Sequence, residues 1–68
     1  MAVENIVKQL RKSNDYSQRK LAFALGVDEK TIRNIENNGT CSLEVALRLS
    51  KYFNQSVESI FTLTEDLR

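Results

Sequence analysis

The sequence predicts an all-α domain, a bundle of five short helices, and three observations carry that expectation. Apolar residues recur at three- and four-residue spacing along most of the chain, the period that gathers them on one helix face. Good N-cap residues (Ser17, Asp28, Ser42 and Ser56) stand immediately before four of these runs. Proline is absent and glycine occurs only at Gly26 and Gly39, sparse punctuation that suits helices joined by short turns.

Taken in order, Val3, Ile6, Val7 and Leu10 predict a first helix over about residues 3–13, ending in the polar Ser13-Asn14-Asp15. Ser17 caps a short second helix carrying Leu21, Ala22 and Leu25, and Gly26 ends it. Asp28 caps a third helix with Ile32 and Ile35 on one face, followed by a loop at Asn37-Asn38-Gly39-Thr40. Ser42 caps a fourth helix, where Leu43, Ala46, Leu47, Leu49 and Phe53 leave little polar face; this is expected to be the most buried helix. Asn54-Gln55 break it, and Ser56 caps a fifth helix with Val57, Ile60 and Phe61. Phe61-Thr62-Leu63-Thr64 then alternates, as a frayed helix end or as a short C-terminal strand pairing with a partner.

A chain of 68 residues makes one domain, residues 1–68, and buries only about 60% of the surface its unfolded form exposes. Cys41 is the only cysteine and histidine is absent, so an intrachain disulfide is impossible and no metal site or cofactor is expected. Stability must come from helix packing and self-association. Phe61, Leu63 and Leu67 extend past the apolar residues the bundle needs, which points to a homodimer interface on a C-terminal extension of about residues 56–68. No apolar run approaches a membrane span, the N-terminus lacks a signal-peptide core, and the cysteine is unpaired; a cytoplasmic location is expected. Residues 1–57 hold nine Lys/Arg against six Asp/Glu, whereas residues 58–68 hold one against three, so the basic surplus lies in the body. Without histidine, a phosphate-binding glycine loop or a carboxylate pair in an evident cleft, an enzyme is not expected, nor is a small-molecule ligand evident.

The informative stretch is Gln18 to Ile35. Two helices joined by a short turn cross steeply when the turn tolerates positive φ, the crossing point is small and apolar residues lock the second helix down. Gly26 meets the first requirement and Ala22 the second; Val27 plugs the turn, and Ile32 and Ile35 supply the lock. Five such residues in register are hard to obtain by chance.

With these residues in place, the sequence resembles the phage-repressor (Cro- and Xre-type) helix-turn-helix family over about residues 5–61. The resemblance runs through Leu10-Arg11, Ser17-Gln18, Leu21-Ala22, Leu25-Gly26-Val27, Thr31-Ile32, Ile35-Glu36 and Ser42-Leu43. From Leu43-Glu44-Val45-Ala46-Leu47 through Tyr52-Phe53-Asn54 to Ile60-Phe61 it looks like a subgroup of very short bacterial and phage regulators. It implies a third helix that enters the major groove of double-stranded DNA and a dimer that reads two half-sites about one helical turn apart, ~34–36 Å. Lys30 is then suited to guanine, Asn34 to adenine, the Thr31 methyl to thymine, and Arg33 to guanine or phosphate. Gln18 and Arg19 at the start of the second helix, with Asn37, Asn38, Thr40 and Ser42 around the next joint, are the phosphate candidates. The resemblance also makes Arg11 and Glu36 a pair joining the first helix to the end of the third.

Some residues depart from the family pattern. Asp28 and Glu29 open the third helix with two acids; Glu29 either accepts from a cytosine amino group or pairs with Arg33 four residues on. The loop after Glu36 is one residue shorter than is common and lacks the usual proline and basic residue. Phe23 and Ala24 replace exposed polar residues, and Phe23 either lies over helix stems or contacts a partner protein. Cys41 precedes a helix N-terminus, where the dipole lowers a thiol pKa and makes redox sensing conceivable. Two functions follow: a DNA-binding transcriptional repressor working as a homodimer on an inverted-repeat operator, and a protein-interaction module of the antitoxin type.

Overall fold

The computed structural model describes residues 3–64 and arranges them as β1 (Val3–Asn5), α1 (Val7–Ser13), α2 (Gln18–Leu25), α3 (Glu29–Asn38), α4 (Leu43–Phe53), α5 (Val57–Ile60) and β2 (Phe61–Leu63). The five helices enclose one core of Val7, Leu21, Leu25, Ile32, Ile35, Leu49 and Ile60, with Ala22 beside them. Ile6, Leu10, Tyr16, Val27, Cys41, Val45, Phe53 and Phe61 pack around it, each half-buried.

Each expected cap is made by a local hydrogen bond. Ser17 Oγ accepts from the Lys20 amide at 3.0 Å, Asp28 Oδ1 from the Thr31 amide at 3.0 Å, Ser42 Oγ from the Val45 amide at 3.3 Å and Ser56 Oγ from the Ser59 amide at 3.1 Å. These bonds satisfy amides that no earlier turn can reach, and so fix where each helix begins. Gly26 ends α2 at φ +74°, and Gly39 ends α3 at φ +87°.

The first helix begins four residues later than its apolar pattern suggests. Val3–Asn5 forms a strand antiparallel to β2, with Val3 opposite Leu63, Glu4 opposite Thr62 and Asn5 opposite Phe61. The alternation at the C-terminal end is therefore a strand, but its observed partner is the same chain's N-terminus. A helical period in Val3, Ile6 and Val7 is overridden because pairing with β2 satisfies the backbone of residues 3–5 and delivers Ile6 and Val7 to the core. The Ile6 amide donates to the Ile60 carbonyl at 3.0 Å, closing the junction. Two further expectations are corrected. α3 continues through Asn37 and Asn38, leaving Gly39 as its cap. α4 is not the most buried helix: Leu43 is 73% and Leu47 54% exposed, because a three-turn helix on a small bundle has only one covered face.

The two glycines differ in what surrounds them. A Cβ at Gly39 would lie 2.2 Å from the Val3 carbonyl oxygen, a backbone atom of β1; at Gly26 it would meet only the flexible Arg48 guanidinium at 3.1 Å. Gly39→Ala is expected to cost more than about 1 kcal/mol, from strain at positive φ and displacement of β1. That corresponds to a loss of about 5 °C or more in Tm. Thermal unfolding should rank Gly39→Ala below Gly26→Ala; the reverse order would mean that β1 does not hold this seam.

Candidate nucleic-acid interface

The site is built from α2, the turn Gly26-Val27-Asp28, and α3. Ala22 is 3% exposed, and its carbonyl accepts from the Val27 amide at 3.0 Å, so the turn closes directly onto the small residue at the crossing. Ile32 and Ile35 are buried on the inner face of α3. The outer face of that helix is thereby committed to solvent.

Glu29, Lys30, Arg33, Asn34, Asn37 and Asn38 are all exposed on α3, and Thr31 is half-buried. Lys30, Asn34 and Asn37 follow one another at four- and three-residue spacing, which aligns them in a single stripe. Among the described residues, Lys30, Arg33, Asn34, Asn37 and Asn38 spend no side-chain donor on an internal hydrogen bond or ion pair. The Glu29–Arg33 pair is not formed, so Arg33 is not held by its neighbour. Asp28 behaves differently from Glu29: its carboxylate accepts from both the amide and the hydroxyl of Thr31. These bonds hold Asp28 below its usual pKa and spend the Thr31 hydroxyl, leaving its methyl as the group available for contact.

The helix is locked in place by Glu36. Its Oε2 accepts from Arg11 Nε at 2.7 Å and its Oε1 from Arg11 Nη2 at 3.2 Å, the two-pronged geometry in which guanidinium and carboxylate match best. Gln18 Nε2 adds a third bond to Oε1 at 3.1 Å, and Arg11 Nη1 reaches the Tyr16 carbonyl at 2.9 Å. The side chains of Arg11 and Glu36 are 10% and 4% exposed. One carboxylate on α3 therefore ties α1, the α1–α2 link and the first residue of α2 to the helix that carries the stripe. Burial pushes the Glu36 carboxyl up, but the hydrogen bonds from Arg11 and Gln18 and the charges of Arg11 and Lys8 outweigh it, and the net pKa is lowered.

This lowering fixes the sign of a pH dependence. A carboxyl with a lower pKa folded than unfolded binds fewer protons in the native state, so its contribution is complete above the ordinary value of 4.5 and is lost as pH falls through the folded one. With no histidine in the chain, Tm is expected to be flat between about pH 5 and 8 and to drop below about pH 4.5. Glu36→Gln should flatten the acid limb; an unchanged limb would place the acid sensitivity elsewhere.

The phosphate candidates occupy two places. Gln18 is half-buried, with one amide N–H spent on Glu36, and Arg19 is exposed beside it at the N-terminus of α2. Asn37, Asn38, Thr40 and Ser42 are exposed around the α3–α4 joint, where Ser42 Oγ also caps α4. Phe61 and Leu63 lie apart from both groups: Phe61 is half-buried against the core and Leu63 is 50% exposed on β2. Leu67 lies outside the described residues.

Two positioning residues are invisible in the sequence pattern. Asn5 donates through Nδ2 to the Ile35 and Gly39 carbonyls at 3.0 Å each, and accepts at Oδ1 from the Val7 amide at 3.0 Å. It joins the strand pair, the start of α1 and the end of α3 in one side chain. Arg48 donates to the Leu25 carbonyl at 2.8 Å and to Glu44 at 2.8 Å, covering the C-terminal end of α2. Only the four-residue spacing of Glu44 and Arg48 was a usable signal. Cys41 runs against expectation, since burial pushes its thiol pKa up and leaves less thiolate at neutral pH. Phe23, at 88% exposure, does not lie over helix stems. No described helix is long and apolar enough to cross a membrane.

Comparison with known proteins agrees with this geometry. The sequence profile of the helix-turn-helix family matches residues 7–60, from the start of α1 to the end of α5. The chain is similar to the HTH-type transcriptional regulator YgzD of Bacillus subtilis, with 38% identity over 65 residues, 94% of this chain and 98% of that protein. It is also similar to an HTH-type transcriptional regulator of Methanocaldococcus jannaschii, with 34% identity over 65 residues, again 94% and 98% of the two chains. A longer HTH-type transcriptional regulatory protein of Thermococcus gammatolerans shares 42% identity over 53 residues, 76% of this chain and 17% of its own length. With α2, a glycine turn and α3 locked by the Arg11–Glu36 pair, and a profile match across all five helices, this chain belongs to the Cro/C1-type helix-turn-helix family.

Proposed function

We propose that the protein is a sequence-specific DNA-binding transcriptional regulator, a repressor that acts as a homodimer on an inverted-repeat operator. The observation that carries this reading is the stripe of uncommitted donors on α3, presented by a helix that Glu36 fixes to the rest of the domain. Lys30 donates to guanine, Asn34 pairs with adenine, Arg33 reaches guanine or phosphate, and the Thr31 methyl meets a thymine methyl. Since Glu29 is not engaged by Arg33, its role is to accept from a cytosine amino group. Gln18 retains a second amide N–H for phosphate, alongside Arg19, Asn37, Asn38, Thr40 and Ser42.

The homodimer reading rests on apolar exposure at one end of the bundle. Leu43 and Phe61 border a shared groove of about 270 Å³ with Val3 and Val57, and Leu47 and Leu63 are exposed. Burying such surface in a symmetric interface stabilises a domain of this size. Selection from random duplex DNA at near-physiological salt tests the whole reading, because nonspecific phosphate binding fades steeply as salt rises. An enriched inverted repeat is the expected result; no motif from well-folded protein would end the proposal. Sedimentation at micromolar concentration tests the dimer separately, and a monomer there would refute it.

The second reading, a module that holds another protein, is favoured by one observation, the exposure of Phe23 on the outer face of α2.

A further inference from the structure

Gly39, where α3 ends, is held on several sides. Its amide donates to the Ile35 carbonyl at 3.0 Å. Its carbonyl accepts from Asn5 Nδ2 at 3.0 Å, and the same nitrogen reaches the Ile35 carbonyl at 3.0 Å. The Val3 carbonyl oxygen leaves no room for a side chain on the glycine. Asn5 is itself fixed: its Oδ1 accepts from the Val7 amide at 3.0 Å, and its backbone is paired opposite Phe61 in the two-stranded sheet.

A trans peptide sets its C=O and its N–H on opposite sides. With the Gly39 oxygen turned toward Asn5, the Thr40 amide is turned away from Asn5. That amide donates to no group among the described residues, the Thr40 hydroxyl makes no hydrogen bond among them either, and Thr40 is exposed. A backbone donor and a side-chain donor are thus left unspent on one residue, just past the helix that carries Lys30, Asn34 and Asn37.

We propose that Asn5 is a positioning residue for DNA binding, which sets the Gly39–Thr40 peptide so that the Thr40 amide and hydroxyl grip one backbone phosphate. The inference rests on the DNA-binding reading and adds to it a residue that touches no DNA. Neutral donors of this kind fix the register of a protein on the duplex without reading sequence. A donor already held in its binding orientation loses little freedom when the phosphate arrives. The exposed carboxylate of Glu4 lines one cleft with Asn5 and Gly39, so a phosphate is repelled from the Asn5 side of the peptide.

The test compares Asn5→Ser with the wild-type chain on the selected operator, using duplexes in which one phosphate at a time is replaced by an uncharged methylphosphonate. A serine hydroxyl still accepts from the amide two residues on, which keeps the start of α1, but it is too short to reach the two carbonyls. Asn5→Ser is expected to bind the unmodified operator about 3- to 10-fold more weakly, the range of one net hydrogen bond. Replacing the phosphate at Thr40 should weaken the wild type but no longer matter to Asn5→Ser, while every other phosphate keeps its effect. Thr40→Ala identifies that phosphate by reducing the effect at the same position, and Asn5→Ala should reproduce the Asn5→Ser profile. Ser56→Ala, which removes the cap of α5 and lowers stability away from this joint, should leave the profile unchanged. Circular dichroism sets a temperature at which all these variants are folded. Uniform weakening at every phosphate, a profile shared with Ser56→Ala, or unchanged binding by Asn5→Ser would overturn the proposal and leave the DNA reading intact. A folded wild-type chain that binds no duplex would remove the DNA reading and this inference with it.

Discussion

Lys30→Ala and Asn34→Ala are each expected to lower affinity for the selected operator roughly 5- to 150-fold, while leaving affinity for random duplex nearly unchanged. A good base-edge contact contributes about 1–3 kcal/mol of discrimination, which sets that range. Both side chains are exposed and make no hydrogen bond or ion pair among the described residues, so neither change should shift Tm by more than a degree or two. The comparison substitutions are Asn38→Ala and Arg19→Ala, which should weaken binding to all sequences alike and, for Arg19, reduce the salt slope by about one. Binding titrations at several salt concentrations separate the two classes. If Lys30→Ala and Asn34→Ala weakened operator and random DNA equally, α3 would be a phosphate-contacting helix and the assignment of base readers would be wrong.

The second large effect is on stability. Removing the Glu36 carboxylate strands Arg11, which is 8% exposed and retains only its bond to the Tyr16 carbonyl. Losing one partner of a buried pair typically costs about 3–5 kcal/mol. A domain this small has about that much stability to lose, so Glu36→Ala is expected to fall by about 15 °C or more in Tm, or to be largely unfolded at 37 °C. Glu44→Ala removes the exposed Arg48 pair, whose partners are 46% and 74% exposed, and should cost only about 0.3–0.5 kcal/mol. The Arg11→Ala/Glu36→Ala double variant should lose less than the two single variants combined, since neither charge is then left alone. Similar losses for Glu36→Ala and Glu44→Ala in thermal unfolding would show that the buried pair does not hold α3.

Much of the domain was legible in the chain because its determinants are local. A cap needs a hydroxyl or carboxylate and an amide three residues on; Ser17, Asp28, Ser42 and Ser56 contain that information within one turn. The turn between α2 and α3 likewise needs a residue at positive φ next to a small one, and Gly26 and Ala22 supply both. The Arg11–Glu36 pair was reached through resemblance to a family, since nothing local couples residues so far apart.

The misreadings share the opposite cause. Val3 carries the spacing of a helix, yet its partner is Leu63 at the other end of the chain. Leu43 and Leu47 read as core because they are leucines in a helix, whereas exposure depends on which face the other helices cover. Glu29 and Arg33 have the right spacing for a pair that does not form, because spacing permits a contact without making it favourable at a solvated surface. The cysteine was judged from its position before a helix, but the burial that raises its pKa comes from neighbours in space.

The sequence by itself determined where α2, α3, α4 and α5 begin, where the turn between α2 and α3 falls, and which face of α3 is polar, because those follow from hydrogen bonds and periodicity within a few residues. Tertiary structure alone decided that residues 3–5 form a strand, that Asn5 fastens the end of α3, that Arg48 covers the end of α2, and that Phe23 is left exposed on α2. Each of those depends on groups more than twenty residues apart, or on which surfaces remain uncovered once the helices have packed, and neither is encoded in any single segment.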